Sequence, residues 1–339
     1  MRLHVVVLLV GTRQVDGGKA DNLLSMINSR CDQFHNSPPP HDLGRLAFTH
    51  VPKMGGTSMQ ELLVRKAATT GKSVLNVRLK ELLKAAKTGQ WRGILHVKST
   101  KLPENMTLTQ LRKIAERADI LIGHSSIAWE EAPGGLSWRD GNFSRVTLIR
   151  DPISTLQSLF RYNGGDASAR IASILARNQT LQQGYDEWLR SRCTLQANGA
   201  CAPIEGGATQ VVTYHRPACN MPGKQSALRC AHSRGIIPDL SFNTTPDLTL
   251  AMMNLVHEYA VVGVLERREE TLEVLKCRIP WLSPIEFPHS NPTAPYPVLL
   301  EDNETLMHQI SEQDQTVYEV ANMILSVDIA CCRRYAPRS

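Results

Sequence analysis

The sequence predicts an α/β protein built on a parallel sheet that helices cover on both faces. Strand-like and helix-like patterns alternate along the chain, and strand-like runs such as "GILHV", "DILIGH", "RVTLIR" and "YAVVGVL" are almost continuously apolar. Runs without polar alternation belong to strands buried on both faces, as in parallel sheets. The third observation is a joint, "LAFTHVPKMGGTSMQELL", where an apolar run passes through paired glycines into a helical pattern. In sheets of this kind ligands gather at the carboxyl ends of the strands, where such joints lie.

The elements follow in order. Leu46, Ala47, Phe48 and Val51 mark a first strand over 46–51, and Met59, Leu62 and Leu63 are spaced as one face of a helix over 58–66. A helix is expected over 73–87, a strand over 93–97, a helix over 107–118 and strands over 119–124 and 145–150. A helix over 153–162 precedes a Gly- and Pro-rich stretch with clustered cysteines. A helix over 248–258, a strand over 259–265 and helices over 269–277 and 304–325 complete the set, with no internal repeat. The globular domain is expected over 44–339, preceded at 1–43 by an N-terminal region. There "MRLHVVVLLVG" reads as a short signal, a shortened anchor or a strand, and 11–43, ending in "NSPPPHD", reads as a linker or stem. The apolar run of Val5 to Val10 is too short to span a bilayer.

With 38 Lys and Arg against 32 Asp and Glu in 339 residues, the chain is mildly basic, which favours an anionic partner. No compact basic block interleaved with aromatics is present, which argues against nucleic acid. Of the 8 cysteines, Cys193, Cys201, Cys219 and Cys230 cluster in the Gly- and Pro-rich stretch and read as a loop insertion stapled by short disulfides. Zinc competes for them, given His215 and His232, although the close C-x2-4-C pairs usual in zinc sites are missing. Acceptor sequons at Asn105, Asn142, Asn178, Asn243 and Asn303, with the clustered cysteines, point to the secretory pathway.

The candidate chemistry collects at the strand ends. After the first strand come Lys53, Met54, Gly55, Gly56, Thr57 and Ser58. A helix N-terminus offers unpaired amides and the positive end of its dipole, and glycines let an anion approach the backbone closely. A phosphate fits there, though the same residues also make a plain tight turn with an N-cap. A nucleoside triphosphatase loop needs Gly-Lys-Ser/Thr at the helix start, whereas Lys53 precedes both glycines. Arg150 ends the strand over 145–150, and Ser158 follows two turns along the next helix on nearly the same face, as for a second phosphate. Asp151-Pro152 equally reads as a helix cap. His124 ends "LIGH", and His96 and Lys101 follow "GIL".

These residues carry a resemblance. "FTHVPKMGGTS" resembles the 5′-phosphosulfate loop of Golgi carbohydrate sulfotransferases, and "VTLIRDPISTLQS" resembles their 3′-phosphate motif. Within that superfamily the chain is similar, over 46–325, to the heparan sulfate and uronyl 2-O-sulfotransferase group. "LIGHSS" falls where the group has its catalytic His, "LHVKSTK" matches a His and Lys used on the uronic acid, and "NLVHEYAVVGVLERREETLEVL" is close to its late strand-helix unit.

The resemblance implies a P-loop-like single domain with a disulfide-stapled loop insertion. "CTLQANGACAP" and the cysteines after it resemble the group's two disulfide loops, which implies Cys193–Cys201 and Cys219–Cys230. The donor implied is 3′-phosphoadenosine 5′-phosphosulfate (PAPS), without a metal, and the acceptor a hydroxyl of a glycosaminoglycan, the 2-O of a uronic acid. His124 is then the general base, Lys53 and the amides of the Gly loop meet the 5′-phosphosulfate, and Arg150 with Ser158 holds the 3′-phosphate. His96, Lys101, His50 and Arg177 are the candidates for the polysaccharide, His50 standing where the group has an Arg just before Val-Pro-Lys. The implied compartment is the Golgi lumen, reached by a type II anchor in the full-length form, and the implied assembly a trimer. Two other classes stay open: a glycan-binding protein without turnover, and a nucleotide-dependent kinase.

Overall fold

The computed structural model describes residues 17–36, 44–51, 54–77, 94–96, 118–123, 144–162, 173–174, 176–192, 248–287 and 304–335. Lys53, Lys101, His124, the cysteine cluster at 193–230 and the sequons at Asn105, Asn142, Asn243 and Asn303 lie outside the described residues.

The strands are β1 (Leu46–Thr49), β2 (Val74–Val77), β3 (Ile94–His96), β4 (Ile120–Gly123), β5 (Ser144–Ile149) and β6 (Val261–Val264). They form one sheet in the order β3-β2-β4-β1-β5-β6. All neighbours run parallel except β3, which pairs antiparallel with β2 at the edge. β1 and β6 are buried along their whole length and β5 nearly so, because helices cover both faces of the sheet. The expected α/β architecture with a parallel sheet is present, with one antiparallel edge strand added.

The expected helix over 73–87 is not what begins there. Val74–Val77 is strand β2, hydrogen-bonded between β4 and β3. Its start is fixed by Asp119, whose carboxylate accepts from the Ser73 amide at 2.7 Å and from the Ser73 hydroxyl at 2.8 Å. That exchange sets the register beside β4, and strand pairing overrides a helical spacing of apolar residues.

The helices are α1 (Gly17–Asn36), α2 (Gly56–Thr70), α3 (Pro152–Tyr162), α4 (Leu181–Arg192), α5 (Leu248–His257), α6 (Arg268–Arg278) and α7 (Glu304–Tyr335). Val317, Val320, Ala321, Ile324 and Leu325 of α7 are all fully buried, a stripe at helical spacing that packs in the main core with β1, β5, β6, α2, α5 and α6. At its N-terminal end Met307 and Ile310 join a second cluster with Leu156 and Phe160 of α3 and Tyr185, Trp188 and Leu189 of α4. Phe160 sits edge-on to Tyr185 at 5.0 Å between ring centroids, a favoured aromatic geometry. Helix α7 therefore joins the two cores, and it runs past the expected end at 325.

The added length of α7 carries Asp328, Cys331 and Cys332, and it changes the reading of the N-terminal region. Residues 17–36 are not a linker: they form α1, whose Leu23, Ile27 and Arg30 recur at helical spacing and are buried against the core. Cys31 of α1 is bonded to Cys331, and Cys277 of α6 to Cys332, so adjacent cysteines of α7 hold two helices. The Cys31–Cys331 bridge closes a span of 300 residues. In the loop-entropy picture a span that long stabilises by on the order of 5 kcal/mol. Among the described residues no helix is long and apolar enough to cross a membrane.

Candidate functional site at the carboxyl edge of the sheet

The register aligns the strand ends. Thr49, last in β1, lies beside Gly123, last in β4, and beside Thr147 of β5, whose end at Ile149 lies beside Val264 of β6. The chain leaving β1, β5 and β6 meets at this edge, and the residue after Gly123 is His124. Beneath it the strand ends are tied by hydroxyls: Thr147 Oγ1 donates to the Thr49 carbonyl at 3.1 Å and the Tyr259 hydroxyl to Thr49 Oγ1 at 3.4 Å. Burial pushes the Tyr259 phenol above its usual range, so it stays a protonated donor.

After β1 the chain turns sharply into α2. Met54 is buried, its amide bonded to the Val51 carbonyl at 3.3 Å, and Gly55 takes the left-handed conformation at φ 78° as N-cap without a side-chain cap. The first intrahelical bond joins the Met59 amide to the Gly55 carbonyl, so the amides of Gly56, Thr57 and Ser58 form the opening turn and point out of the helix end. The His50 ring stacks on Phe48 and occupies the space that a Cβ at Gly56 would fill. Thr57 is exposed and Ser58 half-buried at the mouth of the turn.

Gly55→Ala is accordingly expected to destabilise more than Gly71→Ala. Both positions have positive φ, 78° and 70°, and share a penalty of about 1–2 kcal/mol for a left-handed alanine. A Cβ on Gly55 would in addition lie 2.6 Å from Leu265 Cδ1, whereas Gly71 has nothing within 4 Å among the described residues. Thermal melting of the two variants measures the difference; equal losses would mean that Leu265 does not pack on the loop.

After β5 comes the Arg150-Asp151-Pro152 joint. Asp151 does cap α3, its Oδ1 accepting from the Ser154 amide at 2.8 Å, with Pro152 as the first helical residue. Arg150 Nε lies 3.8 Å from Glu266 Oε1, and the same oxygen accepts from the Asp151 amide at 3.3 Å. Burial raises the Glu266 carboxyl above its usual range in spite of that amide and Arg150. Ser158 is buried on α3 a turn beyond Thr155, whose Oγ1 is buried without a hydrogen-bond partner among the described residues.

After β6 the turn Leu265–Arg267 closes the edge. Leu265 packs on Gly55, Glu266 meets Arg150 and Asp151, and Arg267 pairs with Glu270 and donates to the Asn322 carbonyl and Ser326 of α7 at 3.0 Å. Sequence reasoning missed this turn as part of the site. Its available signal was the acidic Glu266 directly after the apolar run "YAVVGVL".

The remaining candidates are placed differently. His96 ends the antiparallel strand β3, level with Val74, which is itself level with Ile120 and hence Leu46. It therefore stands at the amino edge of the parallel strands, and the structure does not bring it to Arg150. The expectation that His96 follows its strand into the same edge assumed a parallel direction for β3. Arg177 is half exposed and paired with Glu187 at 2.9 Å in the turn before α4. Hydrogen bonds from Gln179 and Arg177 hold the Glu187 carboxyl below its usual range. Asn178 of the same turn is exposed at φ 57°, and Thr180 of its sequon caps α4, exchanging hydrogen bonds with Gln183.

No family model and no curated protein matches the chain.

Proposed function

We propose that this protein is a PAPS-dependent carbohydrate sulfotransferase of the heparan sulfate and uronyl 2-O type, a P-loop-like single domain acting in the Golgi lumen. The observation that carries the reading is the meeting, on adjacent parallel strands, of the glycine-capped N-terminus of α2 and the Arg150 joint before α3. Two anion-binding devices side by side suit a nucleotide with phosphate at both 5′ and 3′ positions, and the motifs at both joints are those that resemble the sulfotransferases. The parallel order with β1 in the middle supports the P-loop-like assignment. The buried Thr155 hydroxyl near Ser158, without a hydrogen-bond partner among the described residues, fits a phosphate oxygen, since buried polar groups are rarely left unpaired. Disulfides in α1, α6 and α7 support an oxidising compartment.

In this reading the donor supplies an activated sulfonyl group. His124 takes the proton of the acceptor hydroxyl as that oxygen bonds to sulfur and the bond from sulfur to the phosphate oxygen breaks. Lys53 and the amides of Gly55 to Ser58 stabilise the charge that develops on the departing phosphate, and Arg150 with Ser158 holds the 3′-phosphate. Lys101 binds the acidic sugar chain. The trimer and the pairing Cys193–Cys201 and Cys219–Cys230 belong to the same proposal.

The test is nucleotide-dependent thermal stabilisation. Adenosine 3′,5′-bisphosphate at 100 times its dissociation constant should stabilise by about 2.7 kcal/mol. ATP with magnesium should do far less, and Arg150→Ala should remove most of the gain. A shift with ATP and none with the bisphosphate overturns the donor assignment in favour of a kinase.

A further inference from the structure

The geometry points to Glu266 as the positioning residue that aims Arg150 at the 3′-phosphate of the donor, an assignment that rests on the sulfotransferase reading. One oxygen, Oε1, meets both the Arg150 Nε at 3.8 Å and the Asp151 amide at 3.3 Å. The ion pair on the Nε edge draws the guanidinium toward this turn, and a guanidinium held in place is what paired, directional binding of a phosphate requires. The backbone amide fixes the carboxylate in turn, and Asp151 is itself locked as the cap of α3 by the bond to Ser154. Both ends of the ion pair thus sit on rigid elements.

Glu266 is also held from behind. Its neighbour Arg267 is anchored to Asn322 and Ser326 of α7, and its other neighbour Leu265 lies against Gly55 of the first loop. Consecutive residues of one turn therefore touch both phosphate-binding joints, which fixes the distance between them. Two joints at a fixed separation suit a nucleotide with phosphate at both the 3′ and 5′ positions over one with phosphate at the 5′ position alone.

The energetics favour a role in binding over one in stability. A carboxyl raised by burial binds more protons folded than unfolded, so its contribution to stability is present on the acid side. That contribution is lost as pH climbs from the ordinary carboxylate value through the raised one. Burial thus works against the charge of this carboxylate, and such placement is common at binding sites.

The experiment measures dissociation constants by calorimetry for adenosine 3′,5′-bisphosphate and adenosine 5′-monophosphate, with wild type, Glu266→Gln, Arg150→Ala and the double variant. Glutamine keeps an oxygen for the Asp151 amide and loses only the charge. The expected result is about tenfold weaker bisphosphate binding by Glu266→Gln, the scale of one charge-assisted contact. Monophosphate affinity and melting temperature should be preserved, and the substitution should add nothing in the Arg150→Ala background. Equal weakening of both nucleotides, or none, overturns the positioning role while leaving the donor reading intact. A wild type that binds both nucleotides equally, or neither, overturns the donor reading and this assignment with it.

Discussion

Asp328→Ala is expected to destabilise the protein by about 3–5 kcal/mol, the range for removing one partner of a buried ion pair. Asp328 sits within the buried stripe of α7, between Leu325 and Cys331, and is fully buried. Its Oδ1 accepts from Arg30 Nε at 3.1 Å and from Arg278 Nη2 at 3.0 Å, and its Oδ2 from Arg30 Nη2 at 2.8 Å. Arg30 is 4 % exposed and Arg278 10 %, so alanine would strand two guanidinium charges away from water. Burial and the neighbouring Arg30 already push Arg278 down to about 10, against the pull of Asp328. Arg30→Ala should do less harm to the charge balance, because Arg278 still pairs Asp328. It would, however, remove the donor to the Val256 and Tyr259 carbonyls, at 2.5 and 3.2 Å, that close the end of α5. Chemical denaturation with disulfides intact separates the variants; a loss below about 1 kcal/mol for Asp328→Ala would show a solvated network.

His124→Ala is expected to lower kcat by about a hundred- to ten-thousandfold while leaving donor and glycan affinity nearly intact. Its predecessor Gly123 ends β4 level with Thr49, at the edge where the glycine turn before α2 and the Arg150 joint lie. A general base acts on the proton in the transition state, so its loss appears in turnover rather than in binding. Lys101→Ala should fail in the opposite way, raising KM for the polymer and reducing the salt sensitivity of binding through one lost charge contact. Activity of the wild type should fall on the acid side as the imidazole protonates. Single-turnover transfer with saturating donor and glycan separates the steps, and a near-normal rate for His124→Ala would remove it from the chemistry.

Much of this architecture was legible from local pattern. β1, β4, β5 and β6 are apolar runs with little alternation, and α2, α3, α5 and α6 follow with apolar residues at helical spacing, so position and type agree closely. What the sequence hid is set by partners distant along the chain. β2 is a strand because Asp119 and β4 receive it, and the direction of β3, which moves His96 to the far edge, is a property of pairing alone. α1 looked like a linker because its buried face holds Arg30, acceptable inside only when Asp328, 298 residues away, meets it. Arg145, first in the run expected as a strand over 145–150, is likewise buried by a distant partner: it is 2 % exposed, pushed down to about 10 by burial, and paired with Glu258. α4 had a signal that was not used, the reciprocal cap of Thr180 and Gln183 ahead of Tyr185, Trp188 and Leu189. At the site, the glycine turn and the Arg150 joint stood out as motifs. The turn of Leu265 and Glu266 that brings them together did not, because a single acidic residue after a strand has no local signature.

The most direct test of the sulfotransferase assignment is incubation of the purified protein with PAPS labelled in its sulfonyl group and a panel of desulfated glycosaminoglycans. Disaccharide analysis of the products then locates the label. The account predicts transfer without added metal, confined to polymers that offer a free uronic acid 2-O, and lost in Lys53→Ala and Arg150→Ala. Absence of label on every polymer, with heparin still bound, would contradict it and identify a glycan-binding protein without turnover.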